Sequence, residues 1–570
     1  MVLSKRRFII LASAGFVGLT ACQSPPAAPA PAKPAPATTQ PPAAPAAAPA
    51  GSPSPAASPA AGAAKPADQT AAAKPAAGPP LAAPAANAKR GGKLRIAVSA
   101  EWKTLDPPLY TNVTERQIFY AIYNPLVSMD ENFNIVPELA RSWQVSADAL
   151  TWTFALAPNV KFHDGTPFNA QAAKFNLDRL LNPQTGSALR QQLADIQEVQ
   201  AADELTLKIV LKKPFTPLLA WLTEGPGFMS SPTAVQKWGQ DYGQHPVGTG
   251  PFEFVEWVKG DKISLKKYAG YWEPGLPLVD EAEYRPIPDE SVKVSTLRAG
   301  NLDIIDDVPA RDQPALRSNA DFKLFEMKGT RWPMVRMNLS MAPLDNRAVR
   351  QALSLAIDRE AIAKAIYFGN AQPAYGPLSP VYSAMFDPTI EQFGFKRDVA
   401  KAKQKLAEGG QPNGFTTPIE IAGTPEQTRL AEVIKSQLAE IGVNVEITSY
   451  EGTVFQDRLT NKKYSLAIGS WTPRPDPDGT MFGHFHSSGN VNSMSYKNPQ
   501  VDTLLDQTRQ LPPGEARVKA FRDAQKLIVD DAPWIFLVFQ NQARTTLKAV
   551  EDLPILPDTM MRPKTVWLNK

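Results

Sequence analysis

Apolar and polar residues alternate along most of the chain in a way that predicts strands and helices in turn. Residues 93–99 have the two-residue period of a strand, and residues 114–123 have the spacing of a helix. A second alternating strand covers Thr151–Leu156, and Asn169 can cap a helix that ends near Leu181. This alternation of element types predicts an α/β fold.

The second half of the chain repeats this pattern. Residues 425–441 have helical spacing, Gly442 is placed to stop the helix, and Val443–Ile447 follows as a strand. This unit is typical of an α/β sheet. Further helices are predicted at Ser291–Ala299, Asn346–Ala356, Arg359–Tyr367, Arg397–Glu408 and Ala516–Asp530.

The segment Ser470–Phe482 is the strongest candidate for a ligand site that the pattern offers. It follows an apolar run, Tyr464–Gly469, that is interpreted as a short buried strand ended by a glycine. Three prolines and a glycine predict a rigid loop, not a helix, and the loop places charged residues beside Trp471. Ligands of α/β sheets bind at the carboxyl ends of strands, so a ligand site is one interpretation. The alternative is a surface loop whose charges face water.

The N-terminus has the layout of a secretory signal over residues 1–22. Three basic residues precede an apolar run that is too short for a comfortable membrane span. The run ends in Leu-Thr-Ala-Cys, which resembles the bacterial lipobox, and Cys22 is the only cysteine of the chain. We therefore predict a lipid anchor on Cys22, with an incidental thiol as the alternative. A partial twin-arginine motif leaves the Sec and Tat export routes both open.

Composition separates the next segment from the rest. Residues 23–88 consist almost entirely of Ala, Pro, Ser, Thr, Gln and Lys, which predicts a disordered tether. Without the charges of the signal and the tether, the remaining chain is near neutral, and this argues against nucleic acid as a partner. A single cysteine excludes a disulfide within the chain.

Several longer motifs resemble one known family. Ala-Arg-Ser-Trp at residues 140–143 is followed by Phe-His-Asp-Gly-Thr-Pro-Phe-Asn-Ala at residues 162–170. The match continues through residues 246–252, 297–304 and 531–534. These motifs resemble the family 5 solute-binding proteins of ABC importers, the dipeptide, oligopeptide and nickel group, in collinear order over the region after the tether.

The resemblance implies a two-lobed periplasmic-binding-protein fold of the class II type, with an extra subdomain at about residues 125–230. Lobe I would comprise residues 89–330 and 535–570, and lobe II residues 331–534. It further implies a monomeric extracytoplasmic lipoprotein that captures a peptide or peptide-like solute between its lobes and delivers it to an ABC permease. Neither an enzymatic activity nor a cofactor or metal is expected.

The ligand-binding residues expected from the loop chemistry and the resemblance are Trp102, Phe228, Met229, Trp332, Tyr375, Gly376, Trp471, Arg474, Asp476 and Asp478. In dipeptide-binding members an acidic residue shortly after the tryptophan pairs with the ligand's free amine. Here that place holds Arg474, and an arginine fork recognises a carboxylate or phosphate. Either Asp476 or Asp478 takes over the amine, or the ligand offers an anion to Arg474; we favour the second.

The histidines of the sequence have both a chemical and a structural interpretation. His163-Asp164 could suggest catalysis, but the family places this motif in a turn, and no nucleophile motif supports a hydrolase. His484 and His486 would share one face of a strand, which leaves a metal site as an alternative. A non-peptide anionic solute, such as an opine or a sugar conjugate, and a sensor of signal peptides also remain open.

Overall fold

One long sheet passes through both halves of the molecule in the computed structural model, which describes residues 87–570. The predicted signal segment, Cys22 and nearly all of the tether lie outside these residues. The strands of the described part, in chain order, are β1 (Lys93–Val98), β2 (Val127–Met129), β3 (Ile135–Pro137), β4 (Ala140–Val145), β5 (Thr151–Leu156), β6 (Ile196–Ala201), β7 (Thr206–Leu211), β8 (Phe252–Val258), β9 (Lys262–Lys267), β10 (Glu281–Pro286), β11 (Ile304–Ile305), β12 (Phe322–Met337), β13 (Ala371–Pro373), β14 (Thr416–Ile421), β15 (Asn444–Ser449), β16 (Leu466–Trp471), β17 (Trp534–Phe536), β18 (Val538–Leu547), β19 (Val550–Glu551) and β20 (Trp567–Leu568).

Helices cover the sheet and connect its strands. In chain order over residues 87–570 they are α1 (Val113–Ile122), α2 (Ala170–Leu181), α3 (Leu218–Trp221), α4 (Pro232–Trp238), α5 (Glu290–Arg298), α6 (Gln313–Ser318), α7 (Arg347–Ala356), α8 (Arg359–Ala365), α9 (Ile390–Phe393), α10 (Val399–Glu408), α11 (Pro425–Ala439), α12 (Gly452–Thr460), α13 (Asp478–Phe485), α14 (Pro499–Gln510) and α15 (Glu515–Asp531). Within residues 87–570, none of them has both the length and the apolar character that a membrane crossing requires.

The strand β12 joins the two halves of the long sheet. The order of the sheet is β15-β14-β16-β12-β18-β11-β1-β10-β9-β8. From Phe322 to Arg331, β12 pairs with β18, and from Trp332 to Met337 it pairs with β16. We call the half built on β1, β8–β11 and β18 lobe I, and the half built on β14–β17 and the C-terminal part of β12 lobe II.

A separate four-stranded sheet, β4-β5-β7-β6, enlarges lobe I. It is antiparallel throughout, and α2 packs beside β6 and β7. Its apolar residues, among them Phe154 and Ile209, join the same buried cluster as β1 and α1. The extra sheet is therefore part of the core of lobe I.

Both faces of the lobe II sheet are covered by helices. Apolar residues of α7, α8, α10 and α11 form one buried cluster with β12, β14, β15 and β16. Residues of α13, α14 and α15 form another around Trp332 and Trp534. Together with the two lobes, this layering confirms the predicted α/β fold of the two-lobed periplasmic-binding type.

Two boundary predictions were confirmed at the level of single residues. Asn169 caps α2, because its side chain accepts a hydrogen bond from the Ala172 N–H. The helix α11 ends at Ala439, and Gly442 follows with a φ of 84° before β15 begins. Glycine adopts this left-handed conformation without a steric cost.

Two predictions around the segment Ser470–Phe482 were wrong. The strand β16 does not stop at Gly469 but continues to Trp471, and the residues from Asp478 onward form α13 instead of a loop. All three prolines precede the first turn of α13, where a missing backbone N–H removes no helical hydrogen bond. The irregular segment is thus only Thr472–Pro477.

Candidate functional site

Arg474 lies at the centre of the short segment between β16 and α13. Its main chain is fixed by Tyr382, whose hydroxyl both accepts from the Arg474 N–H and donates to the Arg474 carbonyl, each at 3.0 Å. Its guanidinium lies 5.0 Å from the centre of the Trp471 ring, and the side chain is 17% exposed. The arginine is therefore held in place by its backbone and by an aromatic face.

The guanidinium of Arg474 reaches across to lobe I. Its Nη1 donates to Glu224 Oε2 at 3.3 Å, and Arg116 Nη2 lies 2.6 Å from the same oxygen. The side chains of Arg116 and Glu224 are 1% and 0% exposed. We call these three residues the Arg116–Glu224–Arg474 cluster; it brings a charge of lobe II against two charges of lobe I.

Local sequence explains how lobe I presents Glu224 and Arg116. Glu224 follows α3 in a tight turn, and a Cβ on Gly227 would lie 1.9 Å from the Leu222 carbonyl oxygen, so only glycine fits there. Arg116 sits in the first turn of α1, which starts with a capping box between Asn112 and Glu115. Both elements are rigid, so the two charges are held in a fixed geometry.

The electrostatics of the cluster follow from its burial. Burial raises the pKa of Tyr110 to about 12, and the Glu224 carboxylate adds to this effect. Burial opposes the charge of Arg116, but the interactions with Glu224, Tyr110, Tyr120 and Asp558 together outweigh it and raise the pKa of Arg116 above its usual range. Arg116 is therefore charged beside a ring that stays protonated.

Asp476 and Asp478 are both engaged by arginines of lobe II. Asp476 accepts two hydrogen bonds from Arg517, at 2.7 and 2.8 Å, and Asp478 accepts two from Arg509, at 2.7 and 3.0 Å. Because both carboxylates are held in bidentate ion pairs, Arg509 and Arg517 already occupy the places that a ligand amine would take. Their role in this structure is to fix the segment against α14 and α15.

The aromatic residues expected at the site fall into two groups. Trp332 and Trp471 lie in lobe II close to Arg474: Trp332 packs 6.0 Å from Tyr382, and Trp471 donates to Thr480. Trp102, Phe228 and Met229 belong instead to the buried core of lobe I and are at most 2% exposed. Large rings pack in cores more often than in clefts, and sequence position alone does not separate the two cases.

Tyr375 and Gly376 lie toward α9 and α15. The Arg359 guanidinium lies 5.2 Å from the centre of the Tyr375 ring. A Cβ on Gly376 would lie against Ile390 and Val529. The structure does not bring these two residues to the Arg116–Glu224–Arg474 cluster.

The lobes touch at further points beside the cluster. Thr216 of lobe I donates from its N–H to the Arg509 carbonyl at 2.7 Å and from its hydroxyl to the Leu511 carbonyl at 2.6 Å. Phe133 of lobe I stacks on Tyr382 of lobe II with ring centres 5.9 Å apart. The structure therefore has the two lobes in contact around the cluster.

A cavity of about 390 Å³ lies elsewhere, in the extra sheet of lobe I. Asp178, Arg190 and Lys212 are among its lining residues. Arg190 and Lys212 already donate to main-chain carbonyls, and lobe II contributes no lining residue. This cavity therefore does not fit a solute held between the two lobes.

The structure places His163 before a turn, His484 within a helix and His486 directly after that helix. His163 precedes a turn in which the Asp164 carboxylate accepts from the Thr166 N–H, as the turn chemistry predicted. His484 lies within α13 and His486 just after it, so the shared strand face was wrong. Within residues 87–570 no group of three metal-ligating side chains occurs.

The burial of His484 leads us to predict that the stability of the protein depends on pH. It is fully buried, with the Trp471 and Trp534 ring centres 4.4 and 4.8 Å away, and burial followed by the Arg336 charge lowers the pKa of its imidazole well below the usual value. An unfolded histidine binds a proton below a pH of about 6.5, whereas the folded one stays neutral. The unfolded state then binds more protons, so stability falls as the pH drops below that value.

We expect His484→Gln to remove about 1 kcal/mol of the stability difference between pH 6.5 and 5.5. Urea unfolding of both proteins at the two pH values measures this difference. An equal loss of stability in the wild type and the variant would contradict the assignment.

Comparison with known proteins provides independent evidence on the family of this chain. The model of the bacterial extracellular solute-binding proteins, family 5, middle region, matches residues 134–493. A glutathione-binding protein GsiB from Pectobacterium atrosepticum is 33% identical over 478 residues, which cover 82% of this chain and 92% of that protein. Its counterpart from Shigella flexneri is 30% identical over 477 residues, with 81% and 92% coverage.

Solved structures agree with this similarity. The periplasmic binding protein DppA from Helicobacter pylori, in complex with the peptide STSA, superposes with a TM-score of 0.78 at 26% identity, covering 85% of this chain and 99% of that one. The binding protein AgaA from A. tumefaciens, in complex with agropinic acid, gives a TM-score of 0.78 at 27% identity, with 84% and 99% coverage.

Proposed function

The chain belongs to the bacterial extracellular solute-binding proteins of family 5, and we propose that it captures a peptide or peptide-like solute between its lobes and delivers it to an ABC-type permease. The observation that carries the proposal is the contact of Arg474 with Glu224, which places complementary charges of both lobes at one point. A solute bound there touches both lobes at once. Closure around a solute is then favoured by contacts that the open form lacks.

The names of similar proteins support the peptide class. The curated relatives bind glutathione, and one solved neighbour holds a peptide. A compact peptide carries both signs of charge, and the Arg116–Glu224–Arg474 cluster also carries both. We therefore propose a short peptide or a peptide-like solute with charged ends.

Ligand-driven closure can be measured directly. Asn132 of lobe I and Ala384 of lobe II are exposed and flank the contact between Phe133 and Tyr382. We expect spin labels on Asn132→Cys and Ala384→Cys, with Cys22→Ser, to show a shorter and narrower distance distribution once a solute is bound. Closure fixes the two positions relative to each other.

The control for this measurement is a pair within lobe I. Val145→Cys and Val255→Cys replace residues that are 43% and 51% exposed, and their distance should not respond to ligand. A solute that binds tightly but leaves the pair between the lobes unchanged would overturn the closure mechanism.

The lipid anchor is a proposal that rests on sequence, because Cys22 lies outside the described residues. We propose that the mature protein begins at Cys22, carries a diacylglycerol thioether there, and is held by the tether on the extracytoplasmic side of a membrane. Monomeric action fits this arrangement. Mass spectrometry of the N-terminal peptide tests it, since an unmodified Cys22 or a cleavage at another residue would contradict it.

A non-peptide anionic solute is the second candidate. It is favoured by Arg474 at the position where dipeptide-binding members have an acidic residue, and by the similarity to a protein that holds agropinic acid. Calorimetry with an opine and with short peptides, each competing against the other, separates the two. A sensor role would use the same binding event and differ only in the partner of the closed form.

A further inference from the structure

A second group of charges lies between the lobes, at the point where β12 passes from one lobe to the other. Arg331 is the last residue of β12 that pairs with β18, and Trp332 is the first that pairs with β16. Arg331 Nη1 lies 3.3 Å from Glu426 Oε2 of lobe II and 3.9 Å from Asp307 Oδ2 of lobe I. The guanidinium therefore stands between carboxylates of both lobes.

The strand directions place these two carboxylates opposite each other. Asp307 follows β11, which runs antiparallel to β18 and so in the same direction as β12, toward lobe II. Glu426 lies in the first turn of α11, which follows β14, and β14 runs against β12, toward lobe I. The carboxyl ends of both strands thus face the crevice between the lobes, where ligands of α/β sheets bind. Closure of the crevice shortens the distance between the two carboxylates.

Asp307 is the least well paired carboxylate of this group. Its neighbour Asp306 accepts a hydrogen bond from Lys293 at 2.7 Å. Arg331 donates to Glu426 at 3.3 Å, whereas the Asp307 carboxylate lies only within ion-pair distance and accepts no hydrogen bond in the described part of the chain. Asp307 therefore competes with two better-paired carboxylates for the neighbouring cations.

Charged groups act on Asp307 from each element around it. The cations are Lys293 of α5, Arg331 of β12 and Arg544 of β18, and the anions are the adjacent Asp306 and Glu426 of α11. Glu290, Arg311, Tyr367 and Arg429 lie one contact further out. Burial raises the pKa of the Asp307 carboxyl to about 6, the two anions add to this rise, and Arg331 and Lys293 reduce it. The side chain keeps 30% of its surface exposed, so it can exchange a proton with water.

We propose that closure of the two lobes takes up a proton on Asp307, so that mild acid favours the closed form. The inference rests on the closure step of the proposed function and adds a regulation to it. Because solute binding draws on the closed form, the protein would hold its solute more tightly in mild acid than at neutral pH.

The sign follows from the two environments of Asp307. In the open form the carboxylate faces water without Glu426 opposite, and it titrates as an ordinary aspartate near pH 3.9. In the closed form the Glu426 carboxylate disfavours a further negative charge in the crevice. The closed form then binds more protons between about pH 4 and 6, so closure becomes more favourable as the pH falls toward this range.

The spin-label pair Asn132→Cys and Ala384→Cys, with Cys22→Ser, measures this coupling in the full chain without any solute. We expect the ratio of closed to open lobes to rise about two- to fourfold between pH 7.5 and 5.5, because a partly exposed aspartate gains up to about two units of pKa on closure. The pair Val145→Cys and Val255→Cys within lobe I should give the same distance at both pH values.

Three variants connect the response to the crevice. Asp307→Asn is neutral at both pH values, so we expect a larger closed fraction at pH 7.5 and no further change at pH 5.5. Glu426→Gln keeps an acceptor for the Tyr367 hydroxyl but removes the opposing charge, and it should reduce the response to no more than about half. Asp261→Asn, in the exposed turn between β8 and β9 of lobe I, is the matched control and should keep the full response.

The outcomes separate this inference from the proposed function. A ratio of closed to open lobes that stays constant or falls between pH 7.5 and 5.5 overturns the proton uptake. A full response in Asp307→Asn also overturns it, as does one in Glu426→Gln should Asp307→Asn not fold. These results leave the proposed function intact, because closure by a solute is measured with the same labels at constant pH. Labels that respond neither to pH nor to a peptide shown to bind by calorimetry overturn closure itself.

Discussion

Replacing Glu224 by alanine is expected to lower the free energy of unfolding by about 3–5 kcal/mol, the cost of leaving a buried charge without its partner. Glu224 is 0% exposed, and it is the carboxylate that contacts Arg116, itself 1% exposed. Alanine would leave the buried Arg116 guanidinium without the one carboxylate that contacts it directly, and water does not reach the site to replace that contact. The variant should also bind solute weakly, because its lobes no longer share a charge contact.

Urea unfolding followed by circular dichroism measures the change in stability. Glu408→Ala is the matched control, since Glu408 is 42% exposed and pairs only with neighbours on its own helix. Its effect should stay within about 0.5 kcal/mol. A Glu224→Ala protein as stable as this control would show that the buried pair has little structural weight.

Removing the guanidinium of Arg474 is expected to weaken solute binding by about 2 kcal/mol or more, roughly 30-fold in the dissociation constant. The side chain is held over Trp471, and its backbone is fixed by Tyr382, so it is preorganised for a ligand. Alanine at this position also removes the contact of lobe II with Glu224. The loss should appear mainly as faster dissociation.

Calorimetry and stopped-flow kinetics on Arg474→Ala test this expectation, with Arg347→Ala as the exposed control. The thermal midpoint of Arg474→Ala should stay close to that of the wild type, because the side chain is partly exposed. Unchanged affinity in Arg474→Ala would remove Arg474 from the site.

Local patterns were sufficient for most of the fold. The period of β1, the cap of α2 and the glycine after α11 each depend on neighbouring residues, and all three were predictable. The helix α13 was missed because prolines were counted as helix breakers without regard to position. All of them precede the first turn, where proline is compatible with a helix.

The candidate site was only partly predictable. Arg474 was visible because it stands in a short proline-rich segment after a strand, but its partners Arg116 and Glu224 lie hundreds of residues earlier. Nothing in either local sequence indicates the pairing. One signal was available in the sequence. Glu224 stands between an apolar helix and a Gly-Pro-Gly turn, and an isolated acidic residue in such apolar surroundings is a candidate for a buried, paired charge.

The two aspartates of the same segment show the converse limit. Asp476 and Asp478 lie two and four residues after Arg474 and were the alternatives for the ligand's amine, yet each is engaged by an arginine of α14 or α15. Sequence spacing indicates which charges are near the cleft and leaves their partners undetermined. Tertiary ion pairs of this kind decide which charges are available to a ligand.

A crystal structure of the protein with a solute whose binding has been established by calorimetry is the most direct test of the account. We predict that polar atoms of the solute lie within hydrogen-bond distance of both Glu224 in lobe I and Arg474 in lobe II. A solute that is bound to one lobe only, or away from these two side chains, would contradict it.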